Sequence, residues 1–253
     1  IFMQLIDAAP PPGSLNPEDN VMISEDHPMV IMAGYFARYI MERQQTPRDD
    51  ILSELAHTLY PNGEKPEFAD LITLSTFMFG AGQDTSAKLL GNAIRFITDE
   101  PGLQDQLRAD PSLIPAMLEE VLRLEGSTKQ TARLARRDTK IGDYDIKAGT
   151  RLLVSLSAAN RDPSRWENPG EFQLNRPKIR EHVAFGRGKH VCAVAPLARV
   201  ELRIIFEDLL AQTAHIEPDE DKHGPLHARR YTFEPTFIIR GLAELHLKTT
   251  PKQ

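Results

Sequence analysis

Cysteine is almost missing from this chain: there is one thiol, Cys192, in 253 residues. A single cysteine excludes an internal disulfide framework and suits a reducing compartment, so a cytoplasmic location is expected. No apolar run approaches the roughly 18 residues that a membrane span needs, and no signal-peptide layout follows Ile1. Positive charge is not in excess either. Lys and Arg number 30 against 36 Asp and Glu, a net charge of −6, which gives no reason to expect nucleic acid as a partner. Internal repeats and low-complexity tracts are missing as well. With 41% hydrophobic and 26% charged residues, the chain reads as a soluble globular protein of one large domain or two small ones.

What is present gathers around the one thiol. Phe185-Gly186-Arg187-Gly188-Lys189-His190-Val191-Cys192 sets two glycines, two cations and a histidine ahead of it. Beyond it, Leu197, Val200, Ile204, Ile205 and Leu209 recur at helical spacing, which predicts a helix with Cys192 at or just before its N-terminus. The positive end of the helix dipole, with Arg187, Lys189 and His190 close by, favours the thiolate, the form that attacks electrophiles or binds metal. Gly186 and Gly188 allow a tight turn and close approach of the backbone to a flat ligand. A phosphate loop is excluded, because it needs a longer glycine spacing and a Ser or Thr where His190 follows the lysine. Two other readings stay open: a small buried hydrophobe and a nucleophile paired with His190.

Phe185-Gly186-x-Gly188-x-His190-x-Cys192 resembles the haem-binding loop of the cytochrome P-450 family, the haem-thiolate monooxygenases. Pro196-Leu197-Ala198-Arg199 is similar to the bacterial branch of that family. The resemblance implies haem b (iron protoporphyrin IX) as cofactor, with Cys192 as the proximal ligand to iron. A thiolate in that place pushes electron density onto the metal and favours O–O cleavage. His190 would hold a haem propionate, Phe185 and Gly186 would lie against the haem, and Val194 stands where the family has glycine.

In chain order, Met29, Met32, Tyr35, Phe36, Tyr39 and Ile40 give a helical pattern from Pro28 to Gln45, and Asp49-Asp50-Ile51-Leu52 opens a shorter helix with an acidic first turn. Pro66 to Glu100 reads as one helix of about 33 residues, about 50 Å at 1.5 Å per residue. Its middle, Gly80-Ala81-Gly82-Gln83-Asp84-Thr85, carries small and polar residues. Read alone, that stretch is close helix packing. It also resembles the family's oxygen-binding motif, which implies Thr85 steadying bound oxygen, Asp84 relaying protons, Ala81 beside the haem, and Phe77 and Ala81 facing substrate. Glu120 and Arg123 share a helix face at i and i+3. They are either a surface ion pair contributing little or, by resemblance, a buried structural pair joined by Arg176.

Past that helix the resemblance implies that Gly126 to Thr131, with Thr128 and Thr131, lines the pocket, and that Arg133 binds a propionate. Lys140 to Leu156 alternates as short strands around an Ala148-Gly149-Thr150 turn, and His223 to Lys248 reads as strands and turns. The fold expected is therefore mainly α with small β-sheets, the cytochrome P-450 fold without its N-terminal part. The implied function is insertion of one oxygen atom from O2 into an apolar, terpenoid- or steroid-like substrate. Electrons would come from a ferredoxin attracted by Arg187, Lys189, Arg199 and Arg203. The alternative is a truncated or non-catalytic relative that binds haem or a hydrophobic ligand. Ile1 to Ile6 reads as the cut end of an apolar helix, and Ala9 to Ser14 as a loop. The chain is thus expected to begin inside a longer parent, or after processing, as a single partial domain spanning 1–253. Alone, it is expected to be oligomeric or unstable, poorly loaded with haem and inactive, while the longer parent is the monooxygenase.

Overall fold

The computed structural model of the chain describes residues 27–252, so the readings for Ile1 to Ile6 and Ala9 to Ser14 lie outside the described residues. The fold is mainly α-helical, and the described residues also form three two-stranded antiparallel sheets. Two compact units divide at Asp84 and Thr85, inside the long helix.

In the first unit, α1 (Pro28–Gln45) starts with proline in its first turn and His27 as cap, the His27 Nδ1 accepting from the Met29 N–H at 3.3 Å. Helix α2 (Ile51–Ala56) is capped by Asp50, whose Oδ1 accepts from both the N–H and the hydroxyl of Ser53 at 2.8 Å. The other carboxylate oxygen accepts from Arg43 Nε at 2.7 Å, and that guanidinium, aided by the Ser53 bonds, lowers the Asp50 carboxyl to about 2. Phe36 on α1 meets Phe79 on α3 (Phe68–Asp99) edge to face at 6.0 Å.

The second unit holds the main core. Leu89, Ala93 and Ile97 of α3 pack with Leu103 and Leu107 of α4 (Leu103–Ala109). Helix α5 (Ile114–Glu125) adds Ile114, Met117, Leu118, Val121 and Leu122 at i, i+3, i+4, i+7 and i+8. It also buries Glu119, Glu120 and Arg123. A helix enclosed on every side must pair its charges, since a lone buried charge is expensive.

Strand β1 (Gln130–Leu134) pairs with β4 (Arg151–Ser155), and β2 (Thr139–Ile141) with β3 (Tyr144–Ile146). The strand reading of Lys140 to Leu156 needs correction in its pairing. Residues 139–146 close on themselves across Gly142, while β4 returns to β1, a partner that local alternation does not reveal. Leu156 is no strand residue but opens the short α6 (Leu156–Ala159), with Ser155 as its cap.

Helix α7 (Ala195–Gln212) follows the cysteine, but its buried face is Ala195, Leu202, Phe206 and Leu210. Leu197, Val200, Ile204 and Ile205, which marked the helix in the sequence, are exposed. The helix carries two apolar stripes, and the one with the large Phe206 ring entered the core. Strand β5 (Thr213–Pro218) pairs with β6 (Leu247–Pro251), and Gln104 clamps β5 by bonding both the carbonyl and the N–H of Ile216 at 2.9 Å. Between the two strands, His223 ends the short α8 (Glu220–His223). Phe233 bridges Leu242 and Ile239 bridges Thr128 as isolated pairs, so His223 to Lys248 is mostly turns, its one regular strand beginning at Leu247.

Candidate functional site

The cysteine loop is built by backbone bonds and two left-handed glycines. The Gly186 N–H donates to the Val183 carbonyl at 2.9 Å, and the Val191 N–H to the Gly188 carbonyl at 3.1 Å. Gly186 and Gly188 have φ of 73° and 84°, where a Cβ is strained. The doubled-back loop lets the Cys192 N–H donate to the Phe185 carbonyl at 2.9 Å. Cys192 is half-buried and lies three residues before Ala195, the first residue of α7. Val194 caps that helix at φ −102° and ψ 15°, a conformation open to a β-branched residue.

Behind the loop lie two buried carboxylates, neighbours on α5. Glu120 accepts from Arg123 Nε and Nη2 at 2.8 and 2.7 Å and from Arg176 Nε at 2.8 Å. All three are essentially buried. The remaining Arg123 donors reach the carbonyls of Asn160, Pro169 and Glu171. This network therefore fixes the segment 160–176, and Asn160 Oδ1 in turn receives the Val183 N–H at 2.8 Å.

Glu119 accepts from His182 Nε2 at 2.8 Å and takes a two-pronged contact from Arg199 Nε and Nη2. Burial pushes the Glu119 carboxyl up, but the His182 and Arg199 hydrogen bonds outweigh it and hold the group at about 2. The Arg199 guanidinium also lies over the Phe185 ring, 4.7 Å from its centroid. Gly126, just past α5, leaves room for Ala184 on the approach to the loop: a Cβ there would sit 2.7 Å from the Leu122 carbonyl and 3.1 Å from the Ala184 methyl.

The other expected site residues are spread more widely. His190 and Arg133 are exposed. Arg133 and Thr131 share a face of β1, and Arg133 Nη1 donates to Thr131 Oγ1 at 2.9 Å and to the Ala132 carbonyl at 2.8 Å. Thr128 is half-buried, and the adjacent Ser127 donates its hydroxyl to the Thr85 carbonyl at 2.6 Å. In the first unit Asp84 is buried, Ala81 is half-buried and Phe77 is two-thirds exposed. An apolar cavity of about 300 Å³ lies there too, lined by Met32, Tyr35, Phe36, Tyr39 and Phe79 among others. Phe77 and Ala81 are not in its lining. The cations expected to draw a partner are not equivalent. Arg199 is committed to Glu119 and Arg203 pairs with Glu207 at 3.2 Å, whereas Arg187 and Lys189 are exposed.

The sequence reading missed Glu119, His182, Ser127 and the pair of buried Lys88 with half-buried Glu234, with Nζ and Oε2 2.8 Å apart. Two adjacent glutamates beside the apolar stripe of α5 were the available signal for Glu119.

A mainly helical protein with a lone thiol on a glycine-shaped loop, backed by buried carboxylate–arginine networks, is the class these features define. The protein-family model described as Cytochrome P450 matches residues 111–231. "Cytochrome P450 144" of Mycobacterium tuberculosis is 36% identical over 230 residues, covering 91% of this chain and 50% of that protein. Among solved structures, the substrate-free cytochrome P450 CYP150A6 of Mycobacterium marinum is similar with a TM-score of 0.86 and 49% identity, over 89% of this chain and 56% of that one. CYP109E1 of Bacillus megaterium in complex with corticosterone is similar at a TM-score of 0.79 and 26% identity, over 87% of this chain and 56% of that one. The chain belongs to the cytochrome P450 family. It spans about half the length of the curated relatives it matches. No helix among the described residues is long and apolar enough to cross a membrane.

Proposed function

We propose that the protein acts as a cytoplasmic haem-thiolate monooxygenase, with haem b held by Cys192. The observation that carries this reading is the donor set. Among the described residues no group of three or more His, Cys, Asp or Glu could cage a metal ion, while one half-buried thiol stands on a shaped loop ahead of a helix. A single sulfur donor would suit a metal that is already held by a ligand of its own, as iron is in a porphyrin. The residues fit. The haem, when bound, supplies the oxygen activation that inserts one atom of O2 into an apolar substrate.

The protein's own part is holding and proton handling. Cys192 donates sulfur. His190 and Arg133, both exposed, would hold the propionates, and Phe185, Gly186 and Ala81 would lie against the ring. Thr85 and Asp84 hold and move protons at the Thr85 hydroxyl and the Asp84 carboxyl. Phe77, Ala81, Thr128 and Thr131 contact substrate. The complex of CYP109E1 with corticosterone supports a steroid- or terpenoid-sized substrate for this chain. Exposed Arg187 and Lys189 support docking of an acidic ferredoxin.

The test is the absorbance of the reduced, CO-treated protein. The parent is expected to give the red-shifted Soret band of a thiolate-ligated haem, and Cys192→Ala to lose it completely. An unchanged spectrum in that variant would sink the reading.

A further inference from the structure

Glu119 has no part in the reading above, yet its contacts converge on the backbone that carries Cys192. Its ionised carboxylate can only accept, so the His182 nitrogen 2.8 Å away, Nε2, carries a hydrogen. The other ring nitrogen, Nδ1, then accepts the Ala184 N–H at 3.1 Å. That fixes the backbone one residue before Phe185. From the other side Arg199, five residues into α7, spans both Glu119 oxygens and lies on the Phe185 ring. The His182 ring is 6.3 Å from the same phenyl group. Phe185 is thus gripped by both partners of one buried carboxylate, and its carbonyl holds the Cys192 N–H at 2.9 Å. Glu120, one residue on, binds a different segment and makes none of these contacts.

We propose that Glu119, His182 and Arg199 are positioning residues for Cys192, acting through Phe185 to hold the thiol where an iron ligand must stand. The proposal rests on the reading of Cys192 as that ligand. Arg199 is the sharper probe, because its side chain is one-third exposed and its loss leaves less buried than loss of Glu119 does. A fixed, two-pronged guanidinium stacked on a ring is not replaced by an ammonium, so Arg199→Lys should fall between the parent and Arg199→Ala.

The experiment compares the parent with Arg199→Ala, Arg199→Lys and Glu119→Gln by two readouts. One is amide hydrogen exchange at Cys192 in the haem-free chain. The other is the Soret position of the reduced CO adduct after haem loading. Loss of one local contact is expected to speed Cys192 exchange about tenfold in Arg199→Ala and to move part of the adduct from the red-shifted band to the shorter-wavelength band of a lost thiolate. Unchanged exchange and an unchanged band in Arg199→Ala would overturn the proposal. So would exchange that rises equally throughout α5 and α7, the mark of general destabilisation. Should Glu119→Gln fail to fold, the two arginine variants decide. If the parent itself shows no red-shifted band, the haem reading falls, and the Cys192 exchange rate alone then decides for or against the positioning role.

Discussion

The two flanks of the cysteine loop are built on opposite terms. Toward α5, Glu120, Arg123 and Arg176 are buried and bonded together, and Glu119 and His182 are buried and bonded to each other. Along the rim, Arg187, Lys189 and His190 are exposed, as is Arg133 on β1. The difference follows from solvation. A buried charge must be matched inside the protein, because water cannot do it. An exposed cation costs little to leave available, so the rim can keep its charge for a ligand or partner. Rigidity and binding capacity are therefore kept in separate residues.

Cutting the buried flank should have the largest effect on stability. Glu120→Ala leaves Arg123 and Arg176 as buried cations without their carboxylate, a loss expected to cost about 3–5 kcal/mol. Urea unfolding of the parent and the variant measures it. A variant unfolding within about 1 kcal/mol of the parent would place the pair with ordinary surface bridges and erase the contrast between the flanks.

Much of this contrast was open to sequence reading, and the part that was not has a physical cause. The helix from Pro28 to Gln45 and the long helix near Pro66 to Glu100 follow from periodicity and from proline and cap residues, which are local signals. The i, i+3 spacing of Glu120 and Arg123 is local too, and it sets them on one face whatever surrounds them. Burial around the whole circumference of α5 is not local. Periodicity marks only its apolar stripe, so nothing in it says that Glu119, turned about 100° from Glu120, is also enclosed. The pairing of β1 with β4 is hidden for the same reason: it depends on a partner some twenty residues away along the chain. The choice between the two apolar stripes of α7 was made by the core that receives Phe206.

A smaller effect, dependent on pH, is expected at Glu119. Glu119 is held at about 2 in the folded chain, against about 4.3 for an ordinary glutamate in the unfolded one. A depressed carboxyl contributes stability that is present above the unfolded value and is lost as pH falls toward the folded one. Glu119→Gln removes this single contribution, so the stability gap between parent and variant should be constant above about pH 5 and shrink steadily between about pH 4.5 and 2. Asp50 and Asp138 are also lowered, but they titrate in both proteins and cancel in the difference. A gap that does not change with pH would mean that Glu119 contributes through packing, not charge.

The smallest stability effect belongs to the rim, and it is the sharpest test of the division between flanks. Among the described residues, Arg133 bonds its own strand, through Thr131 Oγ1 and the Ala132 carbonyl, and His190 sits exposed on the loop. Surface substitutions of this kind usually stay within about 0.5 kcal/mol, so His190→Ala and Arg133→Ala should unfold together with the parent. On the proposed reading, in which His190 and Arg133 would hold the propionates, haem retention should behave differently. Each charge-assisted hydrogen bond to a propionate is worth about 1.5–3 kcal/mol, so removing one donor should weaken haem affinity by roughly ten- to a hundred-fold. Transfer of haem to an excess of apomyoglobin gives that affinity, and urea unfolding of the haem-free chain gives the stability. Retention that falls while stability holds would confine these residues to binding. A fall in both would make the rim part of the scaffold, and parental haem retention in both variants would remove His190 and Arg133 from the site.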